Sequence, residues 1–167
     1  MTRRVSLENL GTEPIRLGKV MSWMMDLPGH YEMTTFDGGW IAEMRKYTVP
    51  VTRSRVVNES TTGGSSNRHN PGFMLSETDA TEDSGWVYGF NLIYSGNHYA
   101  AAQRSLQGFT RVMQGISPDN FSWELAPGET FETPEAVLAV SDAGFCGVSH
   151  KMHKFILEHI IPAYWQY

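Results

Sequence analysis

The sequence predicts a mainly β fold, an antiparallel β-sandwich closed by one C-terminal α-helix. Three observations predict it. Hydrophobic residues alternate over short runs, the period of a half-buried strand. Gly, Asn, Asp and Pro interrupt those runs about every ten residues, as the turns of a sandwich require. After Gly144 the pattern changes: 148–161 has neither Gly nor Pro, and Met152, Phe155, Ile156 and Ile160 recur at helical spacing.

In chain order, 3–9 reads as a strand ended by Asn9-Leu10-Gly11, and 15–25 as a second stopped by Asp26-Leu27-Pro28-Gly29-His30. The runs 31–36 and 40–47 flank Asp37-Gly38-Gly39, a hairpin signal because tight hairpin turns call for positive φ. Further strands are expected over 53–60, 72–76, 85–94, 99–106, 109–115, 121–125 and 135–141, with Pro127-Gly128 turning between the last two. Ser149 is the expected N-cap of the helix and Pro162 its stop. The expected division is a sandwich over 1–144 and a linker helix with an aromatic tail over 145–167.

The chain has 167 residues, enough for one domain with a substantial core. A net charge of -5 with scattered basic residues argues against nucleic acid, whose binders present a basic face. No apolar run approaches the roughly 20 residues that span a bilayer, so no membrane role is expected. Arg3 and Arg4 have no apolar stretch behind them, unlike a signal peptide, and the single cysteine, Cys146, cannot form an internal disulfide. A cytoplasmic protein is the expectation.

The polar loop 61–70 is rich in glycine but lacks the Lys-Ser/Thr ending of a P-loop, and a strand follows it where a P-loop needs a helix. Arg68, His69 and Asn70 are its candidate substrate-binding residues, because all three hydrogen-bond readily to sugar hydroxyls. Cys146, His150 and His153 share a helical face, but no fourth ligand is signposted and packing or capping is preferred over metal. No metal and no cofactor are therefore expected. The carboxylates of 124–135, and Asp79, Glu82 and Asp83, read as solvated turn residues, since sequence proximity does not set two carboxylates across a glycosidic bond. Trp23, Trp40, Trp86, Tyr88, Tyr94 and Trp123 could stack on sugars, with core packing the default for each.

Four collinear stretches carry a resemblance. Gly85-Trp86-Val87-Tyr88-Gly89-Phe90-Asn91-Leu92-Ile93-Tyr94-Ser95-Gly96-Asn97 resembles the Gly-x-x-Tyr-Gly-x-x-Leu-x-Tyr-Ser-Gly-Asn signature of glycoside hydrolase family 36 α-galactosidases. Ser22 to Pro28 is similar to that family's Ser-x-x-x-Asp-Leu-Pro. Ser65 to Pro71 is similar to its Ser-Ser-His-x-x-Asn-Pro, with Asn67 where a histidine is usual. Trp123 to Glu135 is similar to Trp-x-Leu-x-Pro-Gly-Glu-x-Phe-x-Thr-Pro-Glu.

The resemblance implies a galactose-mutarotase-like supersandwich lacking its first strands, whose last helix leads into a catalytic (β/α)8 barrel. It implies an enzyme that hydrolyses terminal α-galactosides such as melibiose and raffinose with retention, through two barrel aspartates, and that is a homo-oligomer at full length. Neither barrel motif occurs in 1–167, so no catalytic residue is assigned and the chain alone is expected to be inactive. The alternative expectation is a carbohydrate-binding module, or an interaction domain, that stands alone.

Overall fold

The computed structural model describes residues 1–65 and 68–165. Its strands are β1 (Thr2–Arg3), β2 (Ser6–Glu8), β3 (Ile15–Leu17), β4 (Met21–Pro28), β5 (Glu32–Asp37), β6 (Arg45–Pro50) and β7 (Val56–Glu59). They continue with β8 (His69–Ser76), β9 (Val87–Ile93), β10 (His98–Arg104), β11 (Phe109–Ile116), β12 (Trp123–Leu125), β13 (Thr130–Glu132) and β14 (Glu135–Ser141). Helix α1 (Gly144–Phe155) follows, widening into a π-helical turn over Ile156–Ile160. No described helix is long and apolar enough to cross a membrane.

Six strands form one sheet in the order β1-β14-β9-β8-β5-β6, and four form a second in the order β4-β11-β10-β7. The pairs β12-β3 and β13-β2 form two small ladders. All the strand pairings are antiparallel. The expected mainly β antiparallel sandwich with one C-terminal helix is the observed fold.

Burying one face of each sheet builds the core. Met33, Phe73, Leu75, Phe90 and Leu92 come from the larger sheet and meet Trp23, Leu27, Ala100, Ala102 and Val112 from the smaller one. Phe73 and Phe90 are cross-strand partners whose rings stack at 4.8 Å, and Trp23 meets Phe90 edge-on at 6.5 Å. Along β9 the alternation puts Tyr88, Phe90 and Leu92 toward the interior, leaving Gly89 on the opposite face. There α1 lies against β14 and β9. A Cβ on Gly89 would collide with the side chain of Val148, so glycine at this signature position is what lets the helix approach.

Several boundaries depart from the sequence expectation. The run 15–25 is two strands, because β3 pairs with β12 whereas β4 pairs with β11. Asp26 does not stop β4; its carboxylate receives two 2.8 Å hydrogen bonds from Arg111, its cross-strand partner, so it stays in the ladder through Pro28. The 31–47 hairpin exists, but its second strand starts at Arg45. Positive φ falls at Ile41 and Met44, while Gly38 serves a close approach of the Ala42-Glu43 backbone. The strand β13 between Pro127-Gly128 and β14 was not expected, and it pairs back to β2 near the start of the chain.

Ser149 is not the N-cap. The helix begins at Gly144, where φ is +62°, and its first amides donate to backbone carbonyls of a distant loop. Gly144 N–H donates to Gly85, Phe145 N–H to Thr81 and Cys146 N–H to Glu82, at 3.1, 3.2 and 2.9 Å. A cap made by tertiary contact satisfies the same orphan donors as a capping side chain, yet leaves no local signature.

Candidate functional site

The candidate residues Arg68, His69 and Asn70 stand where the 61–70 loop becomes strand β8. Ser66 and Asn67 lie outside the described residues. Arg68 is exposed, and its carbonyl accepts a 3.2 Å hydrogen bond from Gly38 N–H, tying it to the loop that carries Trp40. His69 and Asn70 are already strand residues, so pleating sends them to opposite faces of the sheet.

His69 shares the face of Phe73 and Leu75, and its Nδ1 lies 3.2 Å from Asp37 Oδ1 on β5. Thr35 Oγ1 holds the other oxygen of that carboxylate at 3.0 Å. Asn70 faces α1 and is committed locally. Its Oδ1 accepts from Gly72 N–H at 2.8 Å, and its carbonyl accepts from Asn58 Nδ2 at 2.7 Å. Together with Phe36, Met44, Met74, Met152 and Ile156 it lines a cavity of about 350 Å³ beside the helix. The three candidates are neighbours in sequence, but His69 and Asn70 do not converge on one point.

Beneath His69 the sandwich interior turns polar. Asn58, His98 and Gln114, from three strands of the smaller sheet, are almost completely buried. Gln114 Nε2 donates to Pro71 O at 2.9 Å, whereas Gln114 Oε1, Asn58 Oδ1 and both His98 ring nitrogens have no hydrogen-bond partner among the described residues. Burial, helped by the nearby His69, lowers the His98 pKa from 6.5 to about 4, so the ring is neutral at pH 7. No local pattern marks these residues; only pairing of β7 and β11 to either side of β10 assembles them.

The other candidates separate. Cys146 Sγ lies 3.9 Å from Glu82 Oε2, His150 is exposed, and His153 borders the cavity beside α1. Among the described residues no three His, Cys, Asp or Glu are gathered as a metal would need. In the acidic stretch, Glu129 Oε2 accepts from Ala126 N–H at 2.9 Å, while Glu132 and Glu135 flank Arg4 at 3.2 and 3.9 Å. Trp23 is core, and Tyr88 and Tyr94 pack against it. Trp40, Trp86 and Trp123 are 86%, 45% and 50% exposed, and so keep surface free for contact.

The fold and these placements define a mainly β domain with one docked helix. A family model described as the glycosyl hydrolase family 36 N-terminal domain matches residues 1–126. The chain belongs to that family. It is similar to Alpha-galactosidase 2 of Hypocrea jecorina, 37% identical over 164 residues that cover 98% of this chain and 22% of the relative. Alpha-galactosidase AgaA of Geobacillus stearothermophilus is 37% identical over 155 residues, 92% of this chain and 21% of that protein. The crystal structure of the α-galactosidase AgaB from the same organism superposes with a TM-score of 0.94 at 35% identity, covering 96% of this chain and 22% of that one. That of an AgaA variant in complex with raffinose also gives 0.94, at 36% identity and 96% and 23% coverage. The chain thus spans about 22% of the length of the relatives it matches.

Proposed function

We propose that this chain is the accessory sandwich of a family 36 α-galactosidase, supporting a catalytic barrel that acts on α-galactosides and turning over no substrate by itself. The single observation that carries the reading is the close superposition on α-galactosidases over nearly all of this chain but under a quarter of theirs. The carboxylates give it further support. Asp26 is engaged by Arg111, Asp37 by His69 and Thr35, and Glu129 by a backbone amide, so each has a structural task. On this reading 1–144 is the sandwich and 145–167 is the connector toward the barrel. The exposed Leu157, Ile160, Tyr164 and Trp165 would pack under the barrel, and the sandwich would add contacts in a homo-oligomer. On the same reading the whole enzyme would be cytoplasmic and serve carbohydrate metabolism.

An assay of the purified chain on an aryl α-galactoside tests this. Absence of turnover is expected; turnover by the purified chain, whether it persists or is lost in the Asp26→Asn and Asp37→Asn variants, would overturn the division of labour.

A second reading is a carbohydrate-binding module contacting sugar through Arg68, His69 and Asn70. The exposure of Arg68 and His69 beside the Trp40 loop favours it. Saturable galactose or melibiose binding that is lost in Arg68→Ala would select it over the first.

A further inference from the structure

The surface between β12, β13 and the start of the chain is a groove of about 480 Å³ with an aromatic floor and a charged rim. The rings of Trp123 and Phe131 are 5.5 Å apart, and Phe121 meets Phe131 edge-on at 6.0 Å. Arg4, Glu132 and Glu135 stand along the rim, with the Arg4 guanidinium reaching both carboxylates.

The walls of this groove are held by deep ties. The buried Asn9 side chain donates to the carbonyls of Leu125 and Glu13, both at 2.9 Å. Asn9 N–H donates to Glu129 O at 3.0 Å, and its carbonyl accepts from Gly128 at 2.8 Å. Val5 N–H donates to Thr133 Oγ1 at 3.0 Å and Thr133 N–H to Val5 O at 2.9 Å, which sets Arg4 beside Glu132 and Glu135. A groove fixed by backbone bonds is a pre-formed one, with little ordering cost on binding.

The rings of Trp123 and Phe131 are tilted by 56° to each other. We infer that this groove is a second carbohydrate site, taking one galactopyranose ring with its apolar face on Trp123, its edge against Phe131, and adjacent hydroxyls between Arg4 and the two glutamates. A sugar hydroxyl both donates and accepts, and a guanidinium beside a carboxylate offers one group of each kind. The ion pairs are exposed and contribute little to stability, so exchanging them for sugar hydroxyls costs little. The axial 4-hydroxyl of galactose leaves the opposite face of the ring free to lie on an aromatic surface. An aromatic floor with a few placed polar groups is the usual make-up of a small-molecule site. None of Arg68, His69 and Asn70 lines this groove, and the site goes beyond the scaffold reading, which needs no sugar bound here.

The test is to titrate the full chain with methyl β-galactopyranoside, whose equatorial methoxyl leaves the apolar face of the ring free, following tryptophan fluorescence and the Trp123 indole resonance. Saturable binding is expected, weakened about tenfold by Trp123→Ala and by Arg4→Gln and unchanged by Arg68→Ala. Arg4→Gln decides the matter if Trp123→Ala fails to fold by circular dichroism. No saturation in the parent chain, or binding that survives Arg4→Gln undiminished, overturns the site. Either result leaves the scaffold reading standing, because that reading is judged by turnover.

Discussion

Replacing Gly89 by alanine tests the docking of α1 on the sheet. The new Cβ would occupy the place of a Val148 methyl, and Val148 is completely buried. The helix cannot simply retreat, because its first three amides are tied to the carbonyls of Gly85, Thr81 and Glu82. Neither can β9 yield freely, since β14 pairs along its whole length and β8 pairs with its first four residues, Gly89 among them. Overpacking in such a setting costs about 1–3 kcal/mol. For a domain of this size that lowers Tm by about 2–4 °C per kcal/mol. Urea unfolding followed by tryptophan fluorescence should show a lower midpoint at unchanged slope. Val148→Ala, which removes the colliding methyl, costs about 1–3 kcal/mol alone through the cavity it opens. The double variant should then be more stable than the sum of the two losses allows, because alanine at 89 partly fills the space. Strict additivity, or a neutral Gly89→Ala, would refute the account of how the helix is seated.

Two predictions concern pH. His98 has a folded pKa lowered from 6.5 to about 4, so the unfolded chain takes up the proton first. Its contribution is complete above pH 6.5 and is lost as pH falls toward 4, with a slope on the order of 1.4 kcal/mol per unit. His98→Gln should flatten that part of the stability profile, and an unchanged slope would contradict the burial argument. The hydrogen bonds from Arg111 lower the Asp26 pKa below 3.8, so this pair stabilises above that value and loses its effect as pH falls through the folded pKa. Asp26→Asn should therefore lower the unfolding midpoint slightly at neutral pH and not in strong acid. Added salt should shrink the difference; a gap that grows in acid would reverse the sign and sink the explanation.

Much of the fold is legible because burial of one sheet face imposes a period of two. The strands over 85–94, 99–106, 109–115 and 135–141 lie close to β9, β10, β11 and β14 for that reason. Short pieces are less visible: β12 and β13 have three residues each, too few for a period, and exist through pairing with β3 and β2. The helix is legible from Met152, Phe155, Ile156 and Ile160. Its start is not, since Gly144 would ordinarily disfavour a helix and the cap comes from a loop sixty residues away.

The candidate site divides in the same manner. Arg68, His69 and Asn70 stand out by residue type, but the start of β8 at His69 decides that His69 and Asn70 face opposite ways. Asn58, His98 and Gln114 carry no mark at all, being polar residues spread over three different strands. Arg4 meets Glu132 across nearly the whole chain, a contact no local reading contains.

The sequence by itself determined the class of fold, the family motifs and the set of hydrogen-bonding and aromatic residues available. Only the tertiary structure decided which of them meet. Alternation and helical period are local consequences of burying apolar surface, and local order can show them. Strand partners, the helix cap and the groove of Trp123 and Arg4 depend on contacts between residues far apart in the chain, and those exist only once both sheets are closed on their common core.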